Sequence, residues 1–135
     1  MLGLCLGLAG QLWATVPQPT FTLGWWHTVE KIRWEEDYQL TPEGLLLTEA
    51  RVKGTGAGME IPAGAVFRDD SWHYHEKRPA IPLLKLGRAP EGGDYDICFN
   101  GQCLPMSHWI GKPNHQTESV ELWPCDTSTK ANPDK

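Results

Sequence analysis

The sequence predicts an all-β domain, a single-domain antiparallel β-sandwich or small β-barrel preceded by an apolar N-terminal leader. Three observations predict it. Apolar side chains recur at every second position after Pro19, which is the strand period. Turn residues separate the alternating runs, with "TPEG" at 41–44 and "NG" at 100–101. Beyond the leader, no stretch longer than two turns carries a convincing helical pattern.

Length and composition agree with one domain. The chain has 135 residues, with 40% hydrophobic and 21% charged, a globular and not a disordered composition. A chain of this size buries a core without needing a metal to fold. Seven tryptophans supply large apolar surfaces. The net charge of −5 leaves no basic stripe to neutralise phosphates, which argues against nucleic acid.

The elements follow in order. "MLGLCLGLAGQLWATV" carries no charged side chain. It is shorter than the roughly 20 apolar residues that cross a bilayer, so residues 1–18 are expected to be a secretory signal peptide or short leader. An uncleaved anchor and a buried N-terminal helix are the alternatives, because no A-x-A site precedes Pro17 and no cation precedes the run. The β domain is expected over 20–125, followed by a polar, flexible tail at 126–135. In "FTLGWWHTVE", Phe21, Leu23, Trp25, His27 and Val29 share one face. In "IRWEEDYQL", Ile32, Trp34, Glu36, Tyr38 and Leu40 share one face. "LLLTEARVK" makes the third strand of a meander. A short strand is expected at 65–68, an edge strand in "SWHYHEKRPAIP", another strand in "PLLKLGR" and a last one in "ESVELWPC".

"CFNGQC" carries a geometric argument. Asn-Gly is the strongest signal for a two-residue type I′ hairpin. With Asn100 and Gly101 as the loop, Cys98 and Cys103 fall opposite each other at a non-hydrogen-bonded pair, with Cα atoms about 4.5 Å apart. A disulfide fits there and implies an oxidising compartment. Cys5 would leave with the leader, so Cys125 is odd. It is free, pairs with another chain, or replaces one hairpin partner. A zinc site is the rival, but three cysteines at this spacing miss the usual paired motif.

"ARVKGTGAGME", residues 50–60, resembles a phosphate loop only at first sight. It ends in Met-Glu where a Walker loop needs Gly-Lys-Ser/Thr, and Pro62 and Gly64 oppose a following helix. Gly54, Gly56 and Gly58 then shape a loop that offers backbone N–H groups to an anion, or make only a turn. If the alternating faces meet, His27, Glu36, Glu49 and Arg51 project inward from three strands, as a buried ion network or as the anchors of a pocket. The opposite register would gather Thr28, Glu30 and Glu35. His73 and His75 in "HYH" share a strand face and are weak metal candidates. No Ser or Cys has a base partner, so no catalytic residues and no cofactor are expected.

These residues carry a resemblance. Phe21, Leu23, His27, Thr28, Val29, Glu30, Lys31, Trp34 and Glu36 fit the first half of a bacterial family pattern. Glu49, Arg51, Gly54, Thr55, Gly56, Ala57, Gly58, Met59, Glu60 and Pro62 fit the second. The later "IC…GQC" and "VELWPC" look like the same family's cysteine pattern. The chain resembles the family called domain of unknown function 1850 over roughly residues 20–125. That resemblance implies a small cell-envelope protein, in the periplasm, whose relatives are often encoded beside tripartite ATP-independent periplasmic (TRAP) transporters of the TAXI type. The expectation is a non-enzymatic accessory or binding component of such an uptake system. Its ligand-binding candidates are His27, Glu30, Lys31, Glu36, Glu49, Arg51 and the glycine loop, and its partners are TRAP transporter subunits or a small acidic solute. A stand-alone metal- or anion-binding protein and a structural interaction domain are the alternatives. Contact with a membrane is expected only through a retained leader.

Overall fold

A computed structural model describes residues 2–27, 32–53, 64–75, 78–89, 94–114 and 117–127. Two open antiparallel sheets face each other across one core, so the architecture is a sandwich and not a barrel. Strand β1 (Leu2–Leu8) and β2 (Gln11–Val16) are followed by the meander β3 (Thr20–His27), β4 (Ile32–Thr41) and β5 (Gly44–Lys53). Next come β6 (Val66–Arg68), β7 (Ser71–Tyr74), β8 (Leu84–Gly87), β9 (Asp96–Phe99) and β10 (Gln102–Pro105). A single helical turn, α1 (Ser107–Ile110), leads to β11 (Ser119–Asp126). The smaller sheet runs β2-β1-β11-β8 and the larger one β10-β9-β3-β4-β5-β7-β6. Among the described residues, no helix is long and apolar enough to cross a membrane.

Within residues 1–18, the span expected to be a leader, β1 and β2 form two strands of the smaller sheet. "LGLCLGL" puts Leu4 and Leu6 on the core face, both 0% exposed, and Gly3, Cys5 and Gly7 on the other. Ala9 and Gly10 turn the hairpin with φ of 52° and 82°, the double positive φ of a type I′ turn. β1 pairs with β2 on one side and with β11 on the other, from Leu2↔Asp126 to Gly7↔Glu121. That pairing brings Cys5 against Cys125, and the two form a disulfide with Cα atoms 5.9 Å apart. The expectation of an odd Cys125 is corrected accordingly: its partner is the cysteine that a leader would have removed.

The core joins both sheets. Leu4, Leu6, Val16, Val120 and Leu122 of the smaller sheet meet Phe21, Leu23, Tyr38, Leu40, Leu45, Leu47 and Ile97 of the larger, with Met106 closing one end. Phe21 stacks on Tyr38 at 5.6 Å and Trp25 on Trp34 at 6.1 Å, both cross-strand partners between β3 and β4. β7 pairs with β5 and with β6, so the segment expected at an edge lies inside the sheet. The cause is a two-residue turn at Asp69 and Asp70, both with positive φ, which folds β6 back over it. The hairpin of β9 and β10 has the expected register, with Asn100 and Gly101 at φ of 54° and 75° and Cys98 opposite Cys103. Those two cysteines are bonded, with Cα atoms 4.0 Å apart. Beside it, the buried Arg88 reaches Asp94 at 3.2 Å, and Asp94 accepts the N–H of Ser107 at 2.7 Å, which ties the end of β8 to α1.

Candidate functional site

One irregularity decides which charges meet. On β4 the period of two holds throughout, so Arg33, Glu35 and Asp37 point away from the core while Tyr38 and Leu40 point into it. β5 starts in phase, with Leu45 and Leu47 buried. Opposite the Asp37–Tyr38 step the register then shifts: Leu47 pairs with Tyr38, and Glu49, not Thr48, pairs with Asp37. Thr48 is the extra residue of a β-bulge, and its hydroxyl donates to the Asp37 carbonyl at 3.2 Å. Past the bulge the faces exchange. Ala50 and Val52 enter the core, at 1% and 0% exposed, and Glu49 and Arg51 turn outward. The inward projection expected for Glu49 and Arg51 is therefore corrected, because an extra residue in a strand flips every side chain after it.

On the outer face Arg51 is the centre of an ion network. Its Nη1 donates to Asp37 Oδ2 at 2.7 Å and to Glu49 Oε2 at 2.7 Å. Its Nη2 donates to Asp37 Oδ1 at 2.7 Å and its Nε to Glu35 Oε1 at 3.2 Å. The fork on Asp37 is the bidentate geometry in which guanidinium and carboxylate match best. Thr22, directly across on β3, donates its hydroxyl to Asp37 Oδ1 at 2.6 Å. Glu49 also faces His73 Nδ1 at 3.4 Å and Arg68 at 3.5 Å.

A second guanidinium extends the line towards β9. Arg33 donates from Nε to Glu35 at 3.4 Å and from Nη1 to Asp96 at 2.8 Å, and its Nη2 lies 4.0 Å from Cys98 Sγ. It can lie flat there because Gly24 has no side chain: a Cβ at Gly24 would sit 2.2 Å from Arg33 Nη2.

These contacts set the charge states. Burial by itself raises the Asp37 pKa, but hydrogen bonds from Arg51 and Thr22 and the Arg51 charge outweigh it and hold the carboxyl below its ordinary value. Glu49 is lowered in the same way, burial being opposed by hydrogen bonds from Arg51 and His73. The hydrogen bond to Asp37, ahead of those to Glu49 and Glu35, raises Arg51 against the opposing effect of burial. Burial, then the Glu36 carboxylate, raises Tyr38.

A polar groove of about 560 Å³ runs beside the network. Its floor is Thr22, Glu35, Asp37 and Arg51, and its wall is the disulfide hairpin with the tip Asn100–Gly101. Gln18, Gln39 and Thr48 complete its rim. The groove offers carboxylate, hydroxyl and amide oxygens, together with a guanidinium already engaged through all three nitrogens.

The expected site residues separate. Glu49 and Arg51 meet, and Glu35 joins them from the opposite register of the sequence reading. Glu36 stays on the core-facing side, where it accepts the Tyr38 hydroxyl at 2.7 Å and lies 3.6 Å from Arg78. His27 ends β3 opposite Ile32. The His27 side chain and Glu30, Lys31, Gly54, Gly56 and Gly58 lie outside the described residues. His73 and His75 both approach Glu49, at 3.4 and 4.0 Å. Arg51 already holds the oxygen that His73 faces, and among the described residues no group of three metal-ligating side chains assembles. Asp37, Arg33, Thr22 and Asp96 were not singled out from the sequence. The alternation Arg33, Glu35, Asp37 within "IRWEEDYQL" was the signal for the first two.

Residues 21–106 match the family model described as Domain of unknown function (DUF1850). Neither the curated proteins nor the solved structures provide a match. The matched span begins at the first core residue of β3, takes in the bulged strand and the ion network, and ends just past the disulfide hairpin. It covers more than half of the sequence, and the chain therefore belongs to the DUF1850 family.

Proposed function

We propose that the protein is an exported, non-enzymatic binding component of the cell envelope. It serves a TAXI-type TRAP uptake system by docking one of the transporter's subunits at the groove. The observation that carries this reading is the groove itself, a polar concavity floored by a preorganised ion network and walled by a cross-linked hairpin. Export is supported by two disulfides in a chain of this size, since such bonds persist in oxidising compartments. The link to transport rests on the gene neighbourhood that the family resemblance implies.

Charge favours a subunit over the small acidic solute. A carboxylate ligand would meet Arg51 already held by three carboxylates and would lie against Asp37 and Glu35. A protein surface that presents N–H and O–H donors, or a basic side chain, complements those oxygens. The test is recovery of the tagged protein from envelopes of its source organism after mild crosslinking. Transporter subunits are expected in the eluate of the native chain and reduced in that of Gln39→Trp, which obstructs the groove rim. Recovery without any transporter subunit would remove the reading. Thermal shift separates the stand-alone alternative: a stabilisation by a divalent metal or a small carboxylate would favour it over docking.

A further inference from the structure

The two disulfides differ in the properties that govern exchange. Cys5 is 1% exposed on an interior strand, and its bond to Cys125 spans a sequence separation of 120. The Cys98–Cys103 bond spans a separation of 5, and Cys103 is exposed on the terminal strand β10 of the larger sheet. Both hairpin cysteines line the groove.

Arg33 makes the two hairpin sulfurs unequal. Its Nε goes to Glu35 and its Nη1 to Asp96, which leaves Nη2 as the nitrogen turned to Cys98 Sγ, at 4.0 Å. Arg33 is itself 9% exposed, so its charge is little screened by water. A cation beside a sulfur favours the thiolate, and the sulfur with the lower thiol pKa is the better leaving group. The carboxylates of Glu35 and Asp96, both held by Arg33, oppose this. Further along the face Arg51 is shared by Asp37, Glu49 and Glu35, so carboxylates outnumber guanidiniums there and the effect on Cys98 rests on its contact with Arg33.

We propose that Cys98–Cys103 is a thiol–disulfide exchange site, and that its partner is a protein dithiol. The partner's thiolate attacks the exposed Cys103 Sγ. The Cys98–Cys103 bond breaks and its electron pair leaves on Cys98 Sγ, beside Arg33. The partner's second thiol loses its proton and attacks its own sulfur of the mixed disulfide, releasing Cys103 as thiolate. Two electrons and two protons pass in total: the partner becomes a disulfide, and Cys98 and Cys103 become thiols. Opening the bond removes the covalent tie across β9 and β10 beside the groove, while Cys5–Cys125 continues to hold β1 to β11.

The test uses the full chain, with dithiothreitol and a thioredoxin-like dithiol protein as probes, alkylation at timed intervals and mass spectrometry of each cysteine. Cys98 and Cys103 are expected to label at least tenfold faster than Cys5 and Cys125. Arg33→Gln is expected to slow hairpin opening several-fold, and Arg33→Lys to restore most of it. In Cys103→Ser, the alkylation rate of Cys98 against pH should have its midpoint below the ordinary thiol value of about 8.5. The proposal is overturned if both disulfides open together, or if Arg33→Gln opens as fast as the native chain. A Cys98 midpoint at or above the ordinary value overturns it as well, even if Arg33→Gln does not fold.

Discussion

Arg51→Ala removes the centre of the outer-face network and leaves Asp37, Glu49 and Glu35 facing one another. The side chains involved are between 17% and 31% exposed, so the loss lies between two known limits. Breaking a fully buried pair costs roughly 3–5 kcal/mol and an exposed one under about 1 kcal/mol, which puts this substitution at about 2–3 kcal/mol. For a chain of this size that is a fall in Tm of roughly 10 °C. Arg51→Lys keeps the charge but not the fork on Asp37, and should cost about half as much. The effect has a defined pH dependence. Asp37 and Glu49 titrate below their ordinary values of 3.8 and 4.5 in the folded protein. Their contribution is therefore complete above those values and is lost as pH falls through the folded ones. The gap between native and Arg51→Ala should hold its size above about pH 5 and narrow as pH falls through the lowered folded values of Asp37 and Glu49. Urea denaturation across that range measures it. A gap under about 0.5 kcal/mol at pH 7, the scale of an ordinary surface change, would refute the network as a structural element. A gap that does not change with pH would refute its electrostatic origin.

Other changes probe the elements that build the site. Deleting Thr48 removes the extra residue and leaves Glu49 directly after Leu47, so plain alternation keeps Glu49 and Arg51 outward and Ala50 and Val52 in the core. The variant should still unfold cooperatively, and loss of cooperative unfolding would contradict the register. Gly44→Ala meets a backbone with φ of 144° and would put its Cβ 2.3 Å from the Ile81 carbonyl oxygen, for an expected loss of at least about 2 kcal/mol by denaturation. Replacing Cys5 and Cys125 together by alanine releases a loop with a separation of 120 and should cost about 4–5 kcal/mol, against about 2 kcal/mol for Cys98 and Cys103. Equal losses in the two double variants, compared by urea midpoints, would contradict the loop-length argument.

Much of the larger sheet was legible in the sequence because its signals are local. Alternation placed Phe21, Leu23, Tyr38 and Leu40 on the core face, and Asn100-Gly101 set the hairpin register and with it the Cys98–Cys103 bond. The site was less legible because a single residue controls it. Nothing in "LLLTEARVK" marks Thr48 as the bulge, and strict alternation carries Glu49 and Arg51 to the wrong face. The N-terminal hairpin was hidden for a different reason. A run that is apolar or small on both faces looks like a secretory segment, and its type I′ turn uses Ala9 where Asn or Asp is usual. Local pattern therefore places Cys5 outside the domain and leaves Cys125 without its partner. Pairing of β1 with β11 spans nearly the whole chain, and no local pattern encodes it.

The most direct test of docking at the groove is photo-crosslinking in living cells from two exposed positions on opposite sheets. Gln39 lies on the groove rim of the larger sheet, and Lys85 lies on β8 of the smaller one, with 73% of its side chain exposed. A photoreactive residue at Gln39 should crosslink to a transporter subunit, and one at Lys85 should not. Crosslinks from neither position, or equally from both, would contradict a partner seated on the Arg51 face.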